Sequence, residues 1–212
     1  MYNTEEQTII IISDTHIGSI YENISYLEYV YNYAKKHSIK TILHTGDIIQ
    51  STYRNVSPAY TNEETQIRHF LDIYPLDQTI KTNLLFGNHD FHTFNKKPEY
   101  QEMLKERKDL TLLGTGNAII RWQDNLIGLH HHCKKYTIDI PNLETLFIFC
   151  GHSHKLSIKD NKIYVPTLSD DLKSSSPPGF LVATITSDTT YIEFISFNEK
   201  IVNSKLILTK SL

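Results

Sequence analysis

Four consecutive isoleucines at positions 9–12 constrain the fold of this chain more than any other feature. A short, continuous β-branched run is typical of a strand that is buried on both faces. An amphipathic helical pattern follows at residues 24–39, and a second apolar run follows at residues 41–44. This order of strand, helix and strand predicts a parallel crossover within one sheet.

The chain becomes richer in strands toward its C-terminal half. Helices are predicted at residues 61–73, where capping-box spacing opens the pattern, and at residues 98–105, where proline stands at the start. A third strand of the first sheet is predicted at residues 83–86. Further strands are predicted at residues 110–113, 118–122, 126–130, 146–150, 163–165, 180–185, 191–195 and 205–208. The succession favours two sheets packed together with helices outside.

Composition limits the classes of partner and compartment. The formal net charge is −3, so the chain has no global basic field of the kind that marks a dedicated DNA binder. The N-terminus lacks the features of a signal peptide, and no apolar run is long enough to span a bilayer. Cys133 and Cys150 form neither a C-x-x-C motif nor a disulfide framework. We therefore expect a cytoplasmic protein that does not bind membranes.

Clusters of polar side chains stand where several apolar runs end. They are Asp14-Thr15-His16, Gly46-Asp47, Gly87-Asn88-His89-Asp90, His130-His131-His132 and Gly151-His152-Ser153-His154. Ligands of α/β sheets bind in the crevice outside the strand ends, so these clusters are expected to form one site. Their nitrogen and oxygen donors suit divalent ions such as Mn, Fe or Zn. In an extended backbone, the two-residue spacing of Asp14 and His16 turns both side chains to the same side.

In this order, the motifs D-x-H, G-D, G-N-H-D, a late histidine and G-H-x-H resemble the calcineurin-like metallophosphoesterase superfamily. The match runs over residues 14–154, and G-N-H-D is its most specific single element. The resemblance implies a β-sandwich with flanking helices, which agrees with the patterns above. We therefore expect an α/β fold (α+β by sheet type), a four-layer αββα sandwich of two mixed β-sheets flanked by helices. We expect it to form one domain over residues 1–212.

The resemblance also implies two divalent metal ions, drawn from Mn, Fe, Zn and Ni, with Mn favoured. The implied ligands are Asp14, His16 and His154 for one ion, Asn88, His152 and a late histidine for the other, and Asp47 as the bridge. We choose His130 as the late ligand because it is the first histidine after the apolar run at residues 126–129. His131 stays open, since predicted strand ends are uncertain by a residue or two.

The implied reaction is hydrolysis of a phosphate ester by a metal-bridging hydroxide. His89 would stabilise the phosphoryl group or protonate the leaving oxygen, and Asp90 would orient His89. Tyr53 and Arg54 lie in a long loop at residues 48–60 and are expected to contact the substrate, by stacking on a base or pairing with phosphate. A loop that is simply packed by its own tyrosines is the alternative.

Departures from the sequence patterns of particular subfamilies reduce the number of activities that the chain could have. Asp47 is not followed by the D-R-G sequence of phosphoprotein phosphatases, and Gln50 stands where a purple acid phosphatase would carry a metal-bound tyrosine. We expect a small phosphomonoester or phosphodiester, of nucleotide type, as substrate. A small metal-dependent DNA or RNA nuclease is the first alternative, and nucleic acid is not favoured as a partner. A non-catalytic scaffold is the second, although such proteins typically lose ligands or the G-N-H-D histidine.

Overall fold

The isoleucine run forms a strand in the middle of a sheet, as its pattern predicts. The structure is a computed structural model and describes residues 2–4, 7–53, 58–132, 145–170, 174–198 and 201–211. Its strands are β1 (Tyr2–Thr4), β2 (Thr8–Ile12), β3 (Thr41–His44), β4 (Lys81–Phe86), β5 (Leu110–Thr115), β6 (Asn117–Trp122), β7 (Asn125–His130), β8 (Phe147–Cys150), β9 (Ser157–Lys159), β10 (Lys162–Tyr164), β11 (Gly179–Ile185), β12 (Thr189–Asn198) and β13 (Ile201–Ser211). Its helices are α1 (Ile24–Lys36), α2 (Glu63–Ile73), α3 (Asn88–Phe94) and α4 (Pro98–Leu104).

The described strands form two mixed sheets. The seven-stranded sheet has the order β13-β12-β11-β2-β3-β4-β5, and the six-stranded sheet has the order β1-β6-β7-β8-β10-β9. Strands β2 to β5 pair in parallel, which confirms the predicted crossover. Strands β11 to β13 extend the same sheet in antiparallel register. The predicted α/β fold with two mixed sheets is therefore confirmed.

Alternate side chains of β2 enter two separate cores. Ile9 and Ile11 lie between the two sheets, where Trp122 of β6 also packs, whereas Ile10 and Ile12 face the helices. Full burial of an isoleucine side chain contributes about 1.5–3 kcal/mol, so the strand needs cover on both faces. All the described helices contribute side chains to the core that includes Ile10 and Ile12 of the seven-stranded sheet. Within the described residues, the helical layers of the expected sandwich are thus present on one outer face only.

The start of α2 follows local capping. The side chain of Asn62 accepts a hydrogen bond from the Thr65 amide at 3.1 Å and opens α2. Helix α1 ends at Lys36, three residues before the predicted end. Helix α3 was not predicted, because residues 88–94 contain mostly weak helix formers. No helix in the described parts of the chain is both long and apolar enough to cross a membrane.

Candidate metal centre

The structure brings the five polar clusters together at the ends of the strands that precede them. The ligand atoms of three groups lie within 4.8 Å of one another, namely Asp14, His16 and His154, then His16, Asp47 and His89, and then Asp47, His131 and His152. His16 and Asp47 each occur in two groups, so the three groups form one continuous site. Asp14 and Asp47 are buried, whereas His152 is exposed. The site is therefore anchored in the core and open to solvent on one side.

Asp14 is held so that one carboxylate oxygen faces two histidines. Its Oδ2 accepts hydrogen bonds from the Ser13 hydroxyl and, at 3.0 Å, from the His152 amide. Its Oδ1 has no hydrogen-bond partner among the described residues. Oδ1 lies 3.7 Å from His16 Nε2 and 3.3 Å from His154 Nε2. A buried oxygen without a hydrogen bond, beside two imidazole nitrogens, fits a divalent cation.

Asp47 and His131 form the second part of the site. Asp47 Oδ1 accepts a hydrogen bond from the His89 amide at 2.9 Å, and Asp47 Oδ2 lies 3.1 Å from His131 Nε2. His131 Nδ1 lies 2.8 Å from the Thr45 carbonyl, which can only accept, so Nδ1 carries a proton. In the neutral ring the Nε2 lone pair then points into the site, as in metal-ligating histidines. Asn88 adds a buried Oδ1 that has no hydrogen-bond partner within the described residues.

The histidine that reaches Asp47 is His131, and the preference for His130 is corrected. Side chains alternate along a strand, and Ile127 and Leu129 of β7 point into the core between the sheets. His131 continues this inward series, while His130 points to the other face. The sequence pattern placed the strand end correctly but not the side on which the next imidazole lies.

Three glycines leave the space that the His131 ring occupies. A Cβ atom would lie 2.5 Å from His131 Nδ1 at Gly46, 2.7 Å from Nε2 at Gly87 and 2.7 Å from Nδ1 at Gly151. A side chain at any of these positions would displace the ring. The glycines of the G-D, G-N-H-D and G-H-x-H motifs therefore make room for the imidazole ring of His131 between the three turns in which they lie.

Most of the candidate ligands have a left-handed backbone. The φ angles are 52° at Asp14, 44° at His16, 53° at Asp47, 76° at His152 and 58° at His154. The expectation that an extended backbone aligns Asp14 and His16 is therefore wrong, because a turn aligns them instead. Such conformations cost about 1–3 kcal/mol each and cluster at functional sites. Their concentration at the candidate ligands supports a functional role.

Charge in the site is balanced between buried carboxylates and imidazoles. Burial raises the pKa of Asp47, but His131 and His89 hold it well below its usual value. Burial lowers the pKa of His131, but Asp47 raises it to about 9. Burial lowers the pKa of His16 to about 4, so this ring is neutral near pH 7. Without a bound ion, the proton on His131 provides the positive charge that a cation would otherwise supply.

Asp90 does not orient the His89 ring, which corrects the role expected from the sequence. Asp90 is the third residue of α3, and its carboxylate reaches back to the start of the helix. It accepts hydrogen bonds of 2.9 to 3.1 Å from the amides of Gly87, Ile48 and Ile49. The His89 ring is fixed instead by the Gln50 carbonyl, 2.5 Å from Nδ1. Asp90 therefore joins two turns and influences His89 only through the backbone.

The loop after β3 places the aromatic ring of Tyr53 beside the candidate site, an arrangement that the sequence suggests but does not establish. The Tyr53 ring lies 5.1 Å from the His89 ring and 5.5 Å from the His92 ring, measured between centroids. Arg54, the other expected substrate contact, lies outside the described residues. The role of the Gln50 carbonyl was missed, since a backbone group leaves no signal in the sequence.

Comparisons with known proteins agree with this fold. A family model described as calcineurin-like phosphoesterase superfamily domain matches residues 8–169. Vacuolar Protein Sorting 29 from Cryptosporidium parvum is 18% identical, with a TM-score of 0.59 over 97% of this chain and 98% of that chain. Yfce, a phosphoesterase from E. coli, is 14% identical, with a TM-score of 0.58 over 96% and 98%. Vps29 from Entamoeba histolytica complexed with Zn²⁺ is 15% identical, with a TM-score of 0.53 over 94% and 98%. No curated protein matches the chain.

Proposed function

Because the chain belongs to the calcineurin-like phosphoesterase superfamily, we propose that it is a two-metal phosphoesterase that hydrolyses a small, nucleotide-type phosphomonoester or phosphodiester. One observation carries this proposal: Asp47 is shared by two groups of candidate ligand atoms. His89 belongs to one of these groups, and His131 and His152 belong to the other. The shared carboxylate could bridge two metal ions, and the neighbouring imidazole could supply a proton to the leaving oxygen.

The proposed ligands divide into two sets around Asp47. In this proposal, Asp14, His16 and His154 bind one ion, and Asn88, His131 and His152 bind the other. The donors are nitrogen and oxygen without thiolate, which suits Mn, Fe, Zn or Ni, and Mn is our first choice. When bound, two such ions activate a water molecule and neutralise the charge on the phosphoryl oxygens.

His89 is proposed as the catalytic residue that contacts the phosphoryl group or the leaving oxygen. The Gln50 carbonyl accepts the Nδ1 proton, so Nε2 is the atom directed toward the site, 4.0 Å from Asp47 Oδ2. When protonated, Nε2 can donate to the leaving oxygen, and a general acid contributes on the order of a hundredfold or more to the rate. Asp90 supports this geometry by joining the turns on either side.

Tyr53 is proposed to contact the leaving group of the substrate. Its ring stands next to His89, so a leaving group protonated by His89 would lie close to this ring. A planar base or aryl group can stack on or pack edgewise against a tyrosine, and such contacts contribute about 1–3 kcal/mol per base. This supports a nucleotide-type substrate over a small aliphatic ester.

The first experiment measures hydrolysis of bis-p-nitrophenyl phosphate and p-nitrophenyl phosphate by metal-free protein and by protein reloaded with Mn²⁺. We expect activity only after reloading, and we expect Asp47→Asn to lose it by at least a hundredfold. Asp72→Asn is the matched control, because Asp72 is exposed on α2 and distant in sequence from every cluster. Full activity in Asp47→Asn would contradict the role of the shared carboxylate.

The second experiment identifies the substrate class and separates the alternatives. The Mn²⁺-loaded protein is incubated with mononucleotides, cyclic nucleotides, dinucleotides and single- and double-stranded DNA and RNA. Faster turnover of the small nucleotides supports the proposal, and faster cleavage of the oligonucleotides assigns the nuclease alternative. Metal binding without any hydrolysis, in both experiments, would assign the non-catalytic scaffold.

We also propose that the protein works in the reducing cytoplasm. Cys150 is a buried free thiol within β8, which is stable where thiols remain reduced. Cell fractionation, followed by detection of the protein in each fraction with an antibody, tests this location. Recovery in an oxidising compartment would contradict it.

A further inference from the structure

His44 lies beneath the two turns that carry Asp14, His16 and Asp47. It is the last residue of β3, it is fully buried, and it pairs in register with Ile12 on one side. It belongs to none of the candidate ligand groups among the described residues. A buried imidazole in such a place must satisfy both ring nitrogens, and its partners show what it does.

The hydrogen bonds of His44 form a chain in which the donor and the acceptor of each bond are determined. The Gly46 amide donates to His44 Nδ1 at 3.2 Å, so Nδ1 must present a lone pair. The Thr15 hydroxyl donates to the Ile48 carbonyl at 2.8 Å, so its oxygen accepts from His44 Nε2, 3.0 Å away. The ring is therefore neutral, with its proton on Nε2. Any other state of the ring breaks one of these bonds.

This chain connects the residues that stand next to the candidate ligands. Thr15 lies between Asp14 and His16, and Gly46 immediately precedes Asp47. The two turns also pair through backbone hydrogen bonds, from Asp14 N to the Gly46 carbonyl at 3.0 Å and from His16 N to the Asp47 carbonyl at 3.1 Å. His44 links the first turn to the second from below, in addition to the direct hydrogen bond from the Thr15 hydroxyl to the Ile48 carbonyl.

The turns need such support because their backbone is strained. Asp14, His16 and Asp47 all have positive φ, a conformation that persists only where the surroundings enforce it. Backbone pairing between two turns leaves them able to shift together. The side chain of His44 links both turns to β3, which is held on both sides by parallel neighbours.

We propose that His44 is a positioning residue of the metal centre, which aligns the Asp14-Thr15-His16 turn with the Gly46-Asp47 turn through Thr15 and Gly46. The inference rests on the proposed function for the role of the turns as metal ligands. The hydrogen-bond chain itself is independent of any metal or reaction. Its test therefore has one arm without metal and one arm with metal.

The arm without metal determines the state of the His44 ring. ¹⁵N NMR spectra of the imidazole nitrogens are recorded on metal-free protein, and His44→Asn identifies the resonances. We expect one protonated nitrogen, Nε2, and an unprotonated Nδ1 that accepts a hydrogen bond. A proton on Nδ1, or on both nitrogens, overturns the proposal whether or not the protein is a phosphoesterase.

The arm with metal compares Mn²⁺ affinity, by calorimetry and by the Mn²⁺ electron paramagnetic resonance signal, in Thr15→Val and His44→Asn. We expect each dissociation constant to rise about 10- to 100-fold, as for other residues that orient ligands. Thr41→Val is the control, because Thr41 is a buried threonine on β3 whose hydroxyl lies 3.4 Å from that of Thr4. It should leave the affinity unchanged.

A double variant shows whether the two residues act through one chain. We expect His44→Asn to add little to the loss already caused by Thr15→Val, because Thr15→Val already removes the hydroxyl through which His44 reaches the first turn. Additive losses, or a lower unfolding temperature with unchanged Mn²⁺ affinity, overturn the positioning role. If wild-type protein binds no Mn²⁺ at all, the proposed function fails, and the NMR arm still decides the hydrogen-bond chain.

Discussion

The Nε2 atoms of His16 and His154 lie 3.1 Å apart, although the two residues are 138 positions apart in the chain. His16 follows β2 of the seven-stranded sheet, and His154 follows β8 of the six-stranded sheet. The two nitrogens can share a proton between them, or both can direct lone pairs at one cation. Since the Asp14 carboxylate faces the same pair, a cation satisfies all three groups at once. The candidate metal centre thus draws residues from the ends of both sheets.

Adjacent histidines of β7 and the turn after it provide a direct test of the ligand assignment. We expect His131→Asn to abolish most of the rise in unfolding temperature that Mn²⁺ produces, and His130→Asn to retain it. An ion present at 100 times its dissociation constant stabilises the native state by about 2.7 kcal/mol. Differential scanning calorimetry with and without Mn²⁺ measures both variants. The opposite pattern would restore His130 as the ligand.

The glycine before Asn88 is expected to be essential for the site and not only for the fold. In Gly87→Ala the new Cβ would collide with Asp47 Oδ1 and with His131 Nε2. Overpacking of this kind costs about 1–3 kcal/mol, and the displaced ring should also weaken metal binding.

The control for this variant is Gly114→Ala, which is strained by a φ of 152° but whose Cβ would meet only the Asn117 carbonyl at 3.5 Å. Both variants should unfold at lower urea concentration, and Mn²⁺ calorimetry should detect weaker binding only in Gly87→Ala. Equal Mn²⁺ affinities in the two variants would show that the space around His131 is not limiting.

Arg107 is expected to stabilise the fold away from the site. Its guanidinium forms two hydrogen bonds with buried Asp109, at 2.8 and 2.7 Å. It also donates to the carbonyls of Leu71, Tyr74 and Pro75 at the end of α2. Arg107→Lys keeps the charge but leaves acceptors without a donor, which should cost about 1–3 kcal/mol.

The matched substitution Arg68→Lys affects an exposed pair with Glu64 on α2. It should change the free energy of unfolding by no more than about 0.5 kcal/mol. Urea denaturation followed by circular dichroism compares the two variants. A similar, small effect for both would mean that water replaces the Arg107 contacts without loss.

The Cys150 thiol is expected to be inert in the native protein. Burial raises its pKa to about 11, so at pH 8 about one molecule in a thousand carries the reactive thiolate. The reactive fraction should grow tenfold for each pH unit up to that pKa. Iodoacetamide labelling followed by mass spectrometry of the peptide that contains Cys150 checks this, with urea-unfolded protein as the fully reactive control. Rapid native labelling at pH 8 would contradict the burial.

The sequence predicts the sheets and the location of the site because both depend on local patterns. A continuous β-branched run such as residues 9–12 is buried wherever it packs, and polar clusters at the ends of parallel strands must meet at one edge. The order of the clusters added the family resemblance. The prediction of these features stays correct even when the predicted strand boundaries are wrong by a residue or two.

The finer geometry was not predictable because it depends on backbone and tertiary contacts. A one-residue difference decides between His130 and His131, since neighbouring side chains of a strand face opposite sides. The carboxylate of Asp90 accepts hydrogen bonds from the amides of Ile48 and Ile49, which lie 42 and 41 positions away in the sequence. His44 was assigned no role, because nothing in its local sequence distinguishes it from a residue that merely fills the strand.

The left-handed backbone at the candidate ligands determines how substitutions there must be interpreted. Asparagine tolerates positive φ better than most residues, whereas alanine is strained by it. At Asp14 or Asp47, alanine would remove a ligand and at the same time alter the energy of the turn. Asparagine removes the charge and keeps the turn, so a comparison of the two substitutions separates loss of chemistry from loss of local order. An alanine scan alone would overstate the importance of these carboxylates for hydrolysis.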